Sequence, residues 1–333
     1  MINALWSSLS LTGKKLEFLT GEVRGMHVAA YILGLSSLLS SLLALFRDRL
    51  FAHTFGAGIE LDLYYAAFRI PDLLFVALGA LVSVYVLIPV LTSRDEKAQR
   101  EYIDTILVVF SLFAFFASAL AAWFAPALIA FLFPELVTGD TLTLLVFLTR
   151  ILLLQPILLG LSNIVAAITQ YKHRYALYAM SPLVYNLGII LGLVWLYPTM
   201  GLPGLVWGVV FGAFLHFAIQ VPLAIREGFF RLPRRLDWKS IAETVRISIP
   251  RALTLSMSQL SLLGLLVFAG LLSTGSISTF MFAFNLQAVP LAIIGASYSV
   301  AAFPTLARLA QNGSKEFLAY VATAARHILF WSV

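Results

Sequence analysis

The 333-residue chain has no cysteine, so disulfides, thiolate nucleophiles and cysteine metal sites are excluded. Charge is scarce as well. Asp, Glu, Lys and Arg make up 11% of the residues, against about 25% in a typical soluble protein, which excludes a surface that faces water on all sides. The five histidines, His27, His53, His173, His216 and His327, are scattered, and none has metal-ligand spacing, so no metal site is expected. Gly56-Ala57-Gly58 lacks the strand and helix context of a dinucleotide loop, and no phosphate-binding loop is present, so no cofactor is expected and ATP drives nothing within this chain. A lipid-modifying enzyme would gather acids or histidines at one interface, and no such cluster stands out. The expectation is a non-enzyme.

What the chain has is apolar length: 61% of its residues are hydrophobic. About 20 apolar residues cross a bilayer core of about 30 Å. Such runs fall at 27–56, 61–92, 104–133, 141–169, 175–197, 201–225, 247–273 and 276–307, and a ninth, 317–333, stops at Val333. The fold class is therefore an all-α polytopic membrane protein with about nine transmembrane helices. Several runs are longer than a span needs, which predicts tilt or kinks, with Pro71, Pro156, Pro182 and Pro290 as candidate kink points. Basic residues alternate between the loops. Lys14, Lys15 and Arg24, then Arg94, Lys97 and Arg100, then Lys172 and Arg174, then Arg226 to Arg246, and finally Arg308 and Lys315 share one side. The turns near 134–140, 198–200 and 274–275 have no Lys or Arg. The positive-inside rule places the N-terminus and the 226–246 loop in the cytoplasm. The net charge of +6 is thus a matter of topology and does not point to nucleic acid. Residues 1–24 read equally as an interfacial cytoplasmic helix or as a disordered leader. The 226–246 loop, with Pro233, reads as the connector between a lobe of six helices, 25–225, and a partial second lobe, 247–333.

An internal repeat supports two lobes. Ala67-Phe68-Arg69, Gly79, Ser83-Val84 and Pro89 in the second run correspond to Ala283-Phe284-Asn285, Gly295, Ser299-Val300 and Pro304 in the eighth. The offset is constant at 216 residues up to the proline, which slips by one. The copies are displaced by six helices, an even number, so both cross in the same direction, as in duplicated transporter bundles with a substrate site between the lobes. Ionisable residues inside spans are costly and usually face a cavity or a partner. Arg47, Asp48, Arg49, Asp62, Arg69 and Asp72 cluster in the first two runs, and Arg69 and Asp72 share a helix face at a spacing of three. Guanidinium groups in a hydrated cavity suit an anionic headgroup, because they bind phosphate with two parallel hydrogen bonds. The same residues also read as ion pairs that tie the two helices together. Arg150 and Arg251 are expected to reach the interfaces by snorkelling, with Arg150 alternatively pointing into the bundle. Asn163, Asn186, Gln220 and similar residues read by default as interhelical hydrogen bonds.

Phe46-Arg47-Asp48-Arg49-Leu50, Phe55-Gly56-Ala57-Gly58, Asp62, Ala67 to Leu74, Gly79 and Ile88-Pro89-Val90-Leu91 together resemble the N-terminal signature of the MurJ (MviN) family. Gly208 to Leu215 and Gln220-Val221-Pro222 continue the likeness. The resemblance implies a two-lobe, inverted-V transporter fold of the multidrug, oligosaccharidyl-lipid and polysaccharide exporter superfamily. It implies about fourteen helices, of which this chain carries one whole lobe and the start of the second. It also implies a flippase that carries lipid II, the undecaprenyl-diphosphate-linked peptidoglycan precursor, across the bacterial cytoplasmic membrane. Membrane lipids and cell-wall synthesis proteins are the other implied partners. Cavity arginines expected from the resemblance are replaced by Ser41, Phe75 and Asn285, an acid by Ala288, and a glutamate is absent near Leu78. Arg47, Asp48, Asp62 and Arg69 match. Two alternatives stay open: an exporter of another polysaccharide-lipid or amphiphile, and a non-transporting scaffold that recruits partners through the basic 226–246 loop.

Overall fold

A computed structural model of the chain describes residues 26–137, 140–231, 233, 236–290 and 314–332. Among the described residues the structure is helical and no strand occurs. The first span is α1 (Met26–Phe55). The second is built in three pieces, α2 (Ile59–Ala67), α3 (Arg69–Leu81) and α4 (Val84–Thr92). The third is the single long helix α5 (Glu96–Leu132). The fourth is split into α6 (Thr141–Leu152) and α7 (Leu154–Tyr171). The fifth is α8 (Tyr175–Leu191), a π turn at Gly192–Leu196, and α9 (Tyr197–Met200). The sixth joins α10 (Leu202–Ala218) to α11 (Val221–Arg226), and the seventh is α12 (Trp238–Gly270). After them come α13 (Ser276–Pro290) and α14 (Ser314–Ser332).

Seven spans among the described residues are long and apolar enough to cross a bilayer. The count of nine expected from sequence is not reached there, because α13 has 15 described residues and α14 carries Lys315, Glu316 and Arg326. The leader 1–24 and the repeat positions Gly295, Ser299, Val300 and Pro304 lie outside the described residues. The chain forms two compact units that divide after Ser278, so α12 groups with the first six spans. α12 is helical from Trp238, so residues 238–246 of the expected connector are the first turns of this helix.

Two of the expected kinks have a direct covalent cause. Pro71 has no N–H to offer the Ala67 carbonyl, and the helix breaks at Phe68. Pro156 does the same to the Leu152 carbonyl, and the helix breaks at Leu153. Pro182, by contrast, sits inside the unbroken α8, and the irregularity of that span is the π turn ten residues later.

Between helices, lipid offers little hydrophobic driving force, so close packing must hold them. The fifth and sixth spans meet through glycine. A Cβ added to Gly188 would lie 2.3 Å from the Gly212 Cα, and one added to Gly192 would lie 2.5 Å from the Gly208 Cα. One added to Gly204 would lie 2.3 Å from the Leu196 carbonyl oxygen. These glycines recur every four residues, which puts them on one helix face and lets the backbones touch. A second packing centre joins the second, third and fourth spans through Leu87, Ile103, Ile164, Ala167 and Ile168, all fully buried. On α5, Phe116, Trp123 and Phe131 point out from the bundle, as suits a lipid-facing side.

At the end of the bundle that carries Arg94, the loops are fastened. Asp95 caps α5 by accepting from the Ala98 N–H at 2.8 Å. Asp104 accepts from the Phe230 N–H at 2.8 Å, and Lys172 pairs with Glu227 at 3.0 Å. Asp237 caps α12, and hydrogen bonds from Ser240 hold its carboxyl below the usual carboxylate range, so it is ionised as a cap requires. The connector is thus pinned to the lobe at both ends.

Gly208→Val tests the glycine contact. It forces the fifth and sixth spans apart at a point where a Cβ would lie 2.4 Å from the Gly192 Cα, and overpacking typically costs about 1–3 kcal/mol. Monodisperse protein recovered by size-exclusion chromatography should fall sharply. Gly34→Ala, with no atom within 4 Å of the new Cβ, should leave the profile unchanged.

Candidate functional site

Arg47 occupies the later half of α1, eight residues before its end at Phe55. Its Nε and Nη2 donate to Asp48 Oδ1 at 3.0 and 2.8 Å, and its Nη1 donates to Asn186 Oδ1 on α8 at 3.0 Å. The guanidinium lies 5.8 Å from the centre of the Phe51 ring. Asp48 is buried, and Asn186 is itself oriented by donating to the Pro182 carbonyl at 3.1 Å. The carboxylate offsets the charge of the arginine while the asparagine fixes its plane. Asn186 was missed as a partner in sequence because 139 residues separate it from Arg47 and no local pattern links them.

Arg69 and Asp72 pair as their spacing predicts, at 3.1 Å. Arg69 is buried, and its Nε donates to the Tyr65 carbonyl at 3.0 Å. That carbonyl lies in the last turn before the break at Phe68, so Arg69 ties its side chain to the end of α2. Nearby, Gln155 Nε2 donates to the Tyr185 hydroxyl at 3.1 Å.

Two expectations are corrected by the geometry. Asp62, clustered with the arginines in the sequence, accepts from the backbone N–H groups of Gly275 at 2.6 Å and Ser278 at 2.7 Å, and so caps the start of α13. The separation of Asp62 and Ser278, 216 residues, is the repeat offset. Gly275 is required there: its φ is +92°, and a Cβ would lie 2.5 Å from the Ala57 carbonyl oxygen. Arg49 is exposed, two residues along the helix from Arg47, and residues so spaced do not face each other. It does not join the Arg47 group. Ser41 is half-buried on α1, and Asn285 is half-buried on α13 in the second unit.

A cavity of about 390 Å³ lies between the second, fourth, fifth and seventh spans. Phe75, at a position where the resemblance implies arginine, lines it together with Gly79. Arg251 lines it too: the guanidinium carbon sits 4.5 Å from the centre of the Tyr85 ring. No sequence signal marked this pairing, since 166 residues separate the two side chains. Arg150, by contrast, donates from Nε to the Ala122 carbonyl at 3.1 Å and is exposed.

The family profile of lipid II flippase MurJ matches residues 51–333. The chain belongs to the MurJ family. It is 28% identical over 291 residues to a probable lipid II flippase MurJ of Buchnera aphidicola, covering 84% of this chain and 57% of that protein. It is 26% identical over 288 residues to the lipid II flippase MurJ of Burkholderia cenocepacia, covering 82% and 55%. The chain thus spans a little over half the length of these MurJ relatives. In fold it is similar to a lipid II flippase MurJ in an inward closed conformation, with a TM-score of 0.76 at 23% identity over 91% of this chain and 63% of the other. It is also similar to an inward-facing multidrug resistance MATE transporter, with a TM-score of 0.64 at 13% identity over 94% and 68%. The MurJ-type chain is therefore a multi-pass bacterial membrane protein.

Asp62→Ala tests the cap. It leaves two buried amides unpaired, at about 1–3 kcal/mol each. Hydrogen exchange at Gly275 and Ser278 should accelerate and thermal stability should fall, while Asp62→Asn, which keeps one acceptor, should do less of both.

Proposed function

We propose that the full-length protein is a flippase that carries a polyprenyl-diphosphate-linked peptidoglycan precursor, lipid II, across the cytoplasmic membrane. Membership of the MurJ family carries this reading, and the Arg47 group gives it a chemical basis. A guanidinium held in place by Asp48 and Asn186 at membrane depth has five N–H donors in a rigid fork, and three are accounted for by these partners. The others match the oxygens of a diphosphate. A protein that moves such a lipid needs no bond chemistry of its own, so the reading is a carrier and not an enzyme.

The proposed mechanism is alternating access between two lobes. With the basic loops in the cytoplasm, the Asp62 cap lies toward the outer face, where it ties the second span to the start of α13. Opening to the outside requires these two hydrogen bonds to break, and the breaks at Phe68 and Leu153 supply bending points within the spans. The N-terminus is then cytoplasmic. Cell-wall synthesis proteins are the proposed neighbours in the membrane. Phe75 in place of an arginine favours a second reading, export of another polysaccharide-lipid by the same motion.

Complementation separates the readings. The full-length protein, expressed in a bacterium depleted of its own lipid II flippase, should restore growth. Arg47→Ala should abolish rescue at normal membrane levels, and Arg49→Ala should not. A well-inserted parent that fails to rescue would contradict lipid II as the cargo.

A further inference from the structure

The cavity around Arg251 has a composition that the Arg47 group does not explain. Its polar lining includes Ser83, Asn163, Gln170, Tyr178, Ser258 and Gln259, all neutral and all able to donate a hydrogen bond, and among the described residues no aspartate or glutamate lines it. Among the described residues Arg251 is the single charged residue in the lining. Its guanidinium is held 4.5 Å from the centre of the Tyr85 ring, and its Nε is buried with no hydrogen-bond partner among the described residues. A guanidinium stacked on a ring keeps its donors in its own plane, directed away from the ring. Arg251 is half-buried with its Nε shielded from solvent, a cation held partly out of water is costly without a counter-charge, and a lining of neutral donors supplies none. Such a chamber is complementary to an anion. Its volume, about 390 Å³, falls in the range of small-ligand sites, which runs from roughly 300 to 1,000 Å³.

Depth matters as well. Tyr85 is nine residues before Arg94 along the second span, roughly 13 Å at the helical rise. Arg47 is eight residues from the opposite end of its helix, roughly 12 Å. The two cations therefore stand at successive depths of a core about 30 Å thick.

We propose that Arg251, stacked on Tyr85, is a loading site for the phosphate-ester headgroup of the lipid substrate, met from the basic-loop end before the headgroup reaches Arg47. The assignment rests on the flippase reading and adds to it a residue outside the Arg47 group. It also accounts for an anion site in a chain where Ser41, Phe75 and Asn285 replace expected arginines: the positive charge is supplied from the seventh span.

The test uses the purified full-length protein in nanodiscs, with binding read by native mass spectrometry. The probes are undecaprenyl diphosphate, phosphatidylglycerol and inorganic pyrophosphate. Arg251→Ala should weaken undecaprenyl diphosphate binding roughly 10- to 100-fold, the size of a lost charge-assisted contact, with Arg251→Lys in between. Arg251→Gln carries the same test where the alanine variant does not fold. Pyrophosphate should compete in the wild type, and phosphatidylglycerol binding should not change. Unaltered undecaprenyl diphosphate affinity in the variants would overturn the Arg251 assignment and leave the flippase reading standing. An equal loss for phosphatidylglycerol would also overturn it, by making the chamber a general anionic-lipid site. A wild type that binds no undecaprenyl diphosphate would overturn both.

Discussion

A positive charge placed inside a bilayer must be answered by the protein, because lipid supplies no counter-charge and no hydrogen-bond acceptor. Among the described residues, four pieces of intramembrane chemistry are four responses to that constraint and its backbone equivalent. Arg47 is answered by Asp48 and Asn186. Arg69 is answered by Asp72 and by the Tyr65 carbonyl. The amides that open α13 are answered by Asp62. Arg251 has an aromatic face and neutral polar neighbours, and among the described residues no carboxylate lines its cavity. The first three arrangements hold helices in place, and the differences among them decide which side chains are available to a ligand.

Those arrangements depend on a scaffold that keeps helix axes at fixed distances without hydrophobic force. The glycine contact of α8 with α10 does this for the fifth and sixth spans. Asn186 sits on α8 two residues before Gly188, so the pressed backbones also set where the Arg47 partner stands. A side chain larger than hydrogen at Gly188 or Gly212 would move Asn186, and the arginine would lose its orientation without any change to the cluster itself.

Much of the fold was legible in sequence because it follows from one-dimensional rules. Span length, the proline breaks at Phe68 and Leu153 and the Arg69–Asp72 pair all depend on residues within a few positions of each other. The site was less legible, because it depends on how helices are rotated against one another. Asp62 and Ser278 are joined at the repeat offset, yet nothing local in the text around Asp62 distinguishes a cap from a cavity acid. Arg251 follows Pro250 in a helix that begins amid basic and polar residues, so interfacial placement was the natural reading. Its position over Tyr85 depends on α12 packing against the second span. Arg49 shows the opposite case: composition grouped it with Arg47, and helical geometry separates the two.

The central claim is that an oriented intramembrane guanidinium, Arg47, serves a diphosphate lipid during translocation. The most direct measurement is transport itself. The full-length protein would be reconstituted in proteoliposomes with a fluorescent polyprenyl-diphosphate glycolipid, and arrival in the opposite leaflet followed by quenching. The account predicts protein-dependent translocation that Arg47→Ala slows at least about tenfold, the effect of roughly 1.4 kcal/mol, with the variant still folded. Translocation at the wild-type rate in folded Arg47→Ala protein would contradict it.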